Sequence, residues 1–209
     1  MATSGLPQSD VGLGRRLAEV HPETDAELVL ALRHGEPQAA GRVYDRHALA
    51  VQGVVYRLLG RSTELDDIVQ EVFIYAFQSI QKLREPTALK GWLFAIAVGK
   101  VRSHLRRRGR LRWLSFLPPE QMPEPPVVLH EPHAELLRDV SSLLDQLPAD
   151  ERIALVLHRI EDLPLHEAAK ASQMSTSTFK RRLAKAEARF MTLAKKHPGL
   201  AELAGGKQP

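Results

Sequence analysis

The sequence predicts an all-α protein: two small helical domains joined by a Pro-rich acidic linker, the second domain containing a helix-turn-helix. Apolar residues recur at three- and four-residue intervals in both halves of the chain, and no segment alternates convincingly as a strand. Six of the 14 prolines fall at positions 118, 119, 123, 125, 126 and 132, a stretch that cannot be helical. Charge is segregated as well. Lys100 to Arg112 holds seven Lys/Arg and no acid, and Ser177 to Lys196 holds seven with the single acid Glu187. Between them Trp113 to Leu137 holds four Glu and no base. The expected layout is a flexible N-terminal tail (1–23), a first domain (24–112), a linker (113–133), a second domain (134–198) and a flexible C-terminal tail (199–209).

Each element has a local signal. Thr24-Asp25-Ala26-Glu27 is a capping box that opens a first helix, and Gly35 stops it. Pro37 suits the start of a second helix, which runs to Gly60 with Val43, Tyr44, Val51, Val55 and Leu58 on one face. Thr63-Glu64-Leu65-Asp66 opens a third, with Leu65, Val69, Val72, Ala76 and Ile80 in helical register. Lys82 to Ala88 contains Pro86 and reads as a loop, and a fourth helix follows from about Leu89 to Arg108. Beyond the linker, helices are expected at about 134–146, 149–161, 165–171 and 176–195. Nine of the eleven aromatics lie between Tyr44 and Phe116, which gives the first domain the heavier core.

Composition narrows the function. With no cysteine there is no disulfide framework, thiol nucleophile or cysteine zinc site. The longest apolar run, Trp92 to Val98, is far short of a bilayer span, and MATSGLPQSD has neither the basic nor the apolar part of a secretory signal. A cytoplasmic protein with no membrane insertion is expected. The nine histidines supply no metal-like cluster, and no acidic pair stands out as a metal site. The expectation is a non-enzyme with no cofactor. Two dense basic blocks divided by an acidic connector point instead to two contacts with one long polyanion.

The second block lies in a helix-turn-helix pattern. Leu165 to Ala171 is a short helix, Ser172-Gln173-Met174 a turn, and Ser175 or Thr176 caps a helix whose Phe179 and Leu183 face inward. Thr176, Thr178, Lys180, Arg181, Arg182 and Lys185 are then the candidate DNA-binding residues, the early ones placed for base edges and the later ones for phosphates. In the first domain the fourth helix begins apolar and ends basic. Lys100, Arg106, Arg107 and Arg108 suit a phosphate backbone, and Trp92 is the aromatic nearest the 82–88 loop, where an unstacked base can be received. The third helix differs: Asp66, Asp67, Gln70, Glu71, Ile74 and Gln78 lie away from its apolar seam. An acidic face with an exposed isoleucine repels DNA and favours a protein partner with a basic surface.

Asp66-Asp67-Ile68-Val69-Gln70-Glu71-Val72-Phe73 resembles the hallmark of region 2 of bacterial sigma factors, and Leu89 to Ala97 with the arginine run continues the likeness. Leu147-Pro148-Ala149-Asp150-Glu151-Arg152 and the helix-turn-helix resemble region 4. Over roughly residues 24–195 the chain is similar to the extracytoplasmic-function (ECF) group of the sigma-70 family. That resemblance implies a factor that binds core RNA polymerase through Asp67, Gln70, Glu71 and Ile74. It implies promoter DNA as the second partner. The 82–88 loop and the helix after it would open the −10 element, and Thr176 to Lys185 would read the −35 element. It leaves room for an anti-sigma factor as a further partner. A helix-turn-helix regulator that does not direct polymerase is the alternative, but such a regulator needs neither the acidic helix nor the domain around it. The sequence departs from the family pattern at Gly99, Ser103, Ser172, Gln173, Ser177 and Phe179. Gly99 inside a helix costs up to about 1 kcal/mol relative to alanine unless another backbone approaches it.

Overall fold

The computed structural model of the chain describes residues 23–60, 62–114, 134–197 and 200. Of the expected tails and linker, only residues 23, 113, 114 and 200 are therefore described. Among the described residues there are eight α-helices and no strand.

Helix α1 (Asp25–Arg33) is fixed by its cap. The Thr24 hydroxyl accepts from the Glu27 N–H at 3.2 Å, and the Glu27 carboxylate accepts from the Thr24 N–H at 2.6 Å. Those bonds to Thr24 hold the Glu27 carboxyl below its ordinary range. Helix α2 (Ala39–Leu59) begins two residues later than Pro37, because Gln38 takes a left-handed φ of 68° that breaks the helical path. It ends at Gly60, φ 74°, where a β-carbon would stand 2.8 Å from an Asp145 carboxylate oxygen. Helix α3 (Leu65–Ser79) is entered through Ser62, whose hydroxyl accepts from the Glu64 N–H at 3.3 Å. The expected loop before α4 is part 3₁₀ helix: single turns at Ile80–Lys82 and Pro86–Ala88 flank three irregular residues. The Arg33 guanidinium donates to the Leu83 carbonyl and ties this segment to α1. Helix α4 (Leu89–Leu114) runs beyond Arg108. The arginines and leucines there are good helix formers, and no proline intervenes before residue 118.

In the second half, α5 (Ala134–Asp145) is followed by α6 (Ala149–Leu155), α7 (Leu165–Ala171) and α8 (Thr176–Ala194). Pro148 and Pro164 stand just before α6 and α7. The stretch expected as one helix over 149–161 changes character: after Leu155 it widens into a π-helical turn, Val156–Ile160.

Helices α2, α3 and α4 pack around Val51, Val55, Val72, Phe73, Leu93 and Phe94, and α5–α8 around Leu144, Ile153, Leu157, Phe179 and Leu183, all buried. These are not two isolated cores. One buried apolar cluster runs continuously from α1–α4 into α6–α8. Polar bonds seal the junction. Arg102 on α4 donates to the Ser172 carbonyl at 2.7 Å and to Asp150 at 2.8 Å. Arg57 on α2 reaches Glu161 at 2.6 Å, and Lys90 donates to the Glu161 carbonyl at 3.2 Å. Arg152 donates to the Leu58 carbonyl at 3.1 Å and to Asp145 at 2.8 Å. Burial of the Glu161 carboxyl outweighs the pull of Arg57 and Lys90, so it titrates above its ordinary range. Gly99 has open space where a β-carbon would stand, so the close backbone approach considered above is absent.

Candidate nucleic-acid interface and docking face

Helix α3 presents two surfaces. Its buried seam, Ile68, Val69, Val72, Phe73 and Ala76, meets α2 and α4. Asp66, Asp67, Gln70, Glu71, Ile74 and Gln78 are exposed on the other side. The structure divides the four expected docking residues between two flanks. Gln70 and Ile74 line a shallow groove of about 520 Å³ between α2 and α3, together with Tyr44, Ala48, Gln52 and Phe77. Ile74 and Tyr44 are nearly half exposed there, and the Tyr44 ring packs tilted against Phe73, the ring centroids 4.8 Å apart. Glu71, on the opposite flank, binds Lys100 of α4 at 2.9 Å, and Lys100 also lies 5.8 Å from the Tyr75 ring centroid. Asp67 is exposed near it. The α2 contribution to the groove was missed from sequence. Tyr44 was placed on the apolar face of α2, and its tilt outward depends on how α3 crosses.

Trp92 is half-buried at the start of α4 and lines a cleft of about 290 Å³ with Lys82, Arg84, Glu85 and Gly91. The opposite wall is α7, through Glu167, Lys170 and Ala171. Arg106 and Arg107 are exposed. Arg108 lies within α4, but its side chain is outside the described residues.

The recognition element is set by α7, the turn and α8. Phe179 is fully buried and Leu183 nearly so, which leaves Lys180, Arg181 and Lys185 exposed on the other face of α8. Ser175, rather than Thr176, is the N-cap: its hydroxyl accepts from the Thr178 N–H at 3.3 Å. It also donates to the Thr178 hydroxyl at 3.0 Å, so Thr178 is engaged in the cap while Thr176 is exposed. The turn uses Gln173 at φ 55°, a conformation glycine adopts without strain. Ser172 is fully buried, and its hydroxyl donates to the Ala169 carbonyl at 2.9 Å. Arg182 is only partly exposed. It lies 4.0 Å from Glu151, a buried carboxylate that Arg189 approaches at 3.0 Å. Sequence reasoning named Glu151 only within the 147–152 motif and missed that it is buried on α6 facing Arg189 and Arg182 of α8. Among the described residues no helix is long and apolar enough to cross a membrane.

An exposed acidic face on α3 beside a partly apolar groove, followed by a helix-turn-helix domain with a basic second helix, is the layout of a DNA-binding factor with a second, acidic surface. Comparison with known proteins gives the family. Residues 43–111 match the model of sigma-70 region 2, and residues 137–190 match that of sigma-70 region 4. The ECF RNA polymerase sigma factor SigE of Mycolicibacterium smegmatis is 32% identical over 158 residues, covering 73% of this chain and 60% of the relative. The RNA polymerase sigma-H factor of Pseudomonas aeruginosa is 29% identical, covering 78% of this chain and 90% of the relative. Among solved structures, CnrH in complex with the cytosolic domain of CnrY matches with a TM-score of 0.61 and 27% identity over 82% of this chain and 97% of that one. The chain belongs to the ECF group of the sigma-70 family.

Proposed function

We propose that this protein acts in the cytoplasm as a dissociable, non-catalytic specificity subunit: it docks on core RNA polymerase, selects promoters by their −10 and −35 elements and opens the duplex. The observation that carries the reading is the pairing, in one chain, of an exposed acidic face on α3 with exposed cations on α4 and α8. A DNA-binding protein gains nothing from three exposed acids beside its basic helix unless they meet a basic protein surface. Asp67, Gln70, Glu71 and Ile74 carry docking, and the apolar groove around Ile74 and Tyr44 receives side chains of the polymerase. Thr176 and Arg181 reach base edges of the −35 element in the major groove, while Lys180, Arg182 and Lys185 meet phosphates. At the −10 element, the 82–88 segment and Trp92 receive an unstacked base. Lys100, Arg106, Arg107 and Arg108 then hold the backbone of the opened strand. CnrH was solved with the cytosolic domain of CnrY, which supports a further protein partner of this chain, of the anti-sigma kind that the family resemblance leaves room for.

Replacing Arg106, Arg107 and Arg108 together with alanine tests the opening step. Core association should persist, while permanganate reactivity across the −10 region falls. The logarithmic salt slope should shrink by about 0.7 per lost contact to single-strand phosphate. Normal opening at every salt concentration would place the melting role elsewhere.

A further inference from the structure

Helix α8 carries the residues assigned to the −35 element, and two different forces hold it on the second domain. Phe179, Leu183 and Ala186 are buried and form its apolar seam. Apolar contact is non-directional, so a seam selects which face of a helix is buried and tolerates small rotations about the axis. A helix that reads base edges needs closer control, to within about 10–20° of the productive geometry.

The second hold is ionic and centres on Glu151, a carboxylate only 2% exposed. It stands on α6, where the next residue, Arg152, donates to the Asp145 carboxylate and to the Asp145 carbonyl, both at 2.8 Å, and fixes that helix to the end of α5. From this platform Glu151 faces two cations of α8. Its Oε1 lies 4.0 Å from Arg182 and its Oε2 3.0 Å from Arg189. Positions 182 and 189 are seven apart, two helical turns, so both side chains leave the same side of α8. Rotation of α8 carries both guanidinium groups off a charge that is shielded from water, and an unpaired buried charge is costly. The carboxylate therefore supplies the directional control that the apolar seam lacks.

Arg182 is also placed by this contact. Its side chain is 37% exposed, and its Nε is buried without a hydrogen-bond partner. The guanidinium thus has the carboxylate on one side and solvent on the other, beside the exposed Arg181 and Lys185. A planar fork of five donors serves a carboxylate and a phosphate at once, with its orientation set by the first.

We infer that Glu151 is a positioning residue for −35 reading: its buried carboxylate, held between Arg182 and Arg189, sets the rotation of α8 about its axis and turns the Arg182 guanidinium toward the DNA backbone, so that Thr176 and Arg181 meet base edges in register. The inference rests on the sigma-factor reading above and deepens its −35 site. It also gives Arg189, which that reading leaves without a DNA contact, a part in sequence preference from two turns away.

The test uses holoenzyme assembled from the full chain and core polymerase, with a promoter on which the wild type initiates. Competition against single-base variants of the −35 element gives the sequence preference, and a salt series counts the phosphate contacts. Glu151→Gln keeps the shape of the side chain and removes its charge. Its preference for the native element should fall by about tenfold, the discrimination that one well-placed base contact provides. Arg189→Gln alters a side chain that is 54% exposed, so its fold should persist, as circular dichroism on melting checks. Its preference should fall by about threefold, a smaller loss because a single exposed cation contributes modestly, and its salt slope should stay at the wild-type value. In the Glu151→Gln background Arg189→Gln should cost nothing further, since both act through one carboxylate.

Wild-type preference in the folded variants would leave Glu151 a packing residue and overturn the positioning role, with the sigma-factor reading intact. Additive losses would overturn it too. So would a salt slope smaller by about 0.9 in Arg189→Gln, which would make Arg189 itself a phosphate contact. Should Glu151→Gln fail to fold, the preference and salt slope of Arg189→Gln decide alone. A wild-type holoenzyme indifferent to the −35 sequence would instead remove the reading of α8 itself, and the positioning role with it.

Discussion

Reversing the charge of Glu71 separates docking from stability. Glu71 lies 2.9 Å from Lys100, and the two side chains are 46% and 31% exposed. A pair so open to water contributes at most about 1 kcal/mol to the fold. Lys100 also keeps the Tyr75 ring when the carboxylate is lost. Glu71→Lys should therefore remain folded, with a loss of stability of about 1 kcal/mol or less. Binding is affected differently, because a lysine facing a basic polymerase surface exchanges attraction for repulsion in a partly desolvated interface. A cost of about 2–3 kcal/mol corresponds to roughly 30- to 150-fold weaker association. Glu71→Gln should fall between the two, since it removes attraction without adding repulsion. Fluorescence anisotropy of labelled protein titrated with core polymerase gives the affinities, and circular dichroism on melting gives the stabilities. Unchanged affinity of folded Glu71→Lys would refute the assignment of the acidic face to docking.

Other outcomes follow from particular residues. Within the holoenzyme, Arg181→Ala should relax sequence preference at one −35 position, by about 1–3 kcal/mol if it reads a base, whereas Lys185→Ala should weaken all sequences alike; competition binding with single-base variants of the element distinguishes them. Gly99 sits inside α4 with open space at the β-carbon position, so Gly99→Ala should stabilise the protein by up to about 1 kcal/mol, seen as a higher midpoint in urea unfolding. The Glu161 carboxyl, faced by Arg57 and Lys90, is raised above 4.5 by burial. The folded protein therefore retains a proton that the unfolded chain releases, and this group's contribution to stability should fall as pH rises from about 4.5 through the raised value. Urea-unfolding midpoints across that range should show the slope, and Glu161→Gln should flatten it.

Much of this architecture was legible before any coordinates. Capping box, helical register and proline placement located α1–α8 because each is a local signal, carried within a few residues. Misplacements occurred where conformation depends on neighbours. Gln38 adopts a left-handed φ that pushes the start of α2 past Pro37, and the helix after Leu155 widens into a π turn. The candidate surface residues on α3 and α8 were readable as the polar complement of an apolar stripe. Their partners were not. Nothing in the spacing of Lys100 and Glu71 announces that a residue assigned to DNA and one assigned to polymerase pair with each other, 29 positions apart. The largest omission was the junction. Arg57, Arg102, Asp150 and Glu161 look like ordinary solvated charges in sequence, and only the packing of the second half's helices on α2 and α4 pairs Arg57 with Glu161 and Arg102 with Asp150.

Initiation itself is the most direct measurement. Core RNA polymerase, a library of promoter fragments and the purified protein are combined, and transcript 5′ ends are mapped. Sigma-factor function predicts transcripts that depend on the protein and begin at a fixed distance downstream of two shared sequence elements, spaced as −35 and −10 are. A protein that binds specific DNA on its own, yet leaves the transcripts of core polymerase unchanged, would contradict it.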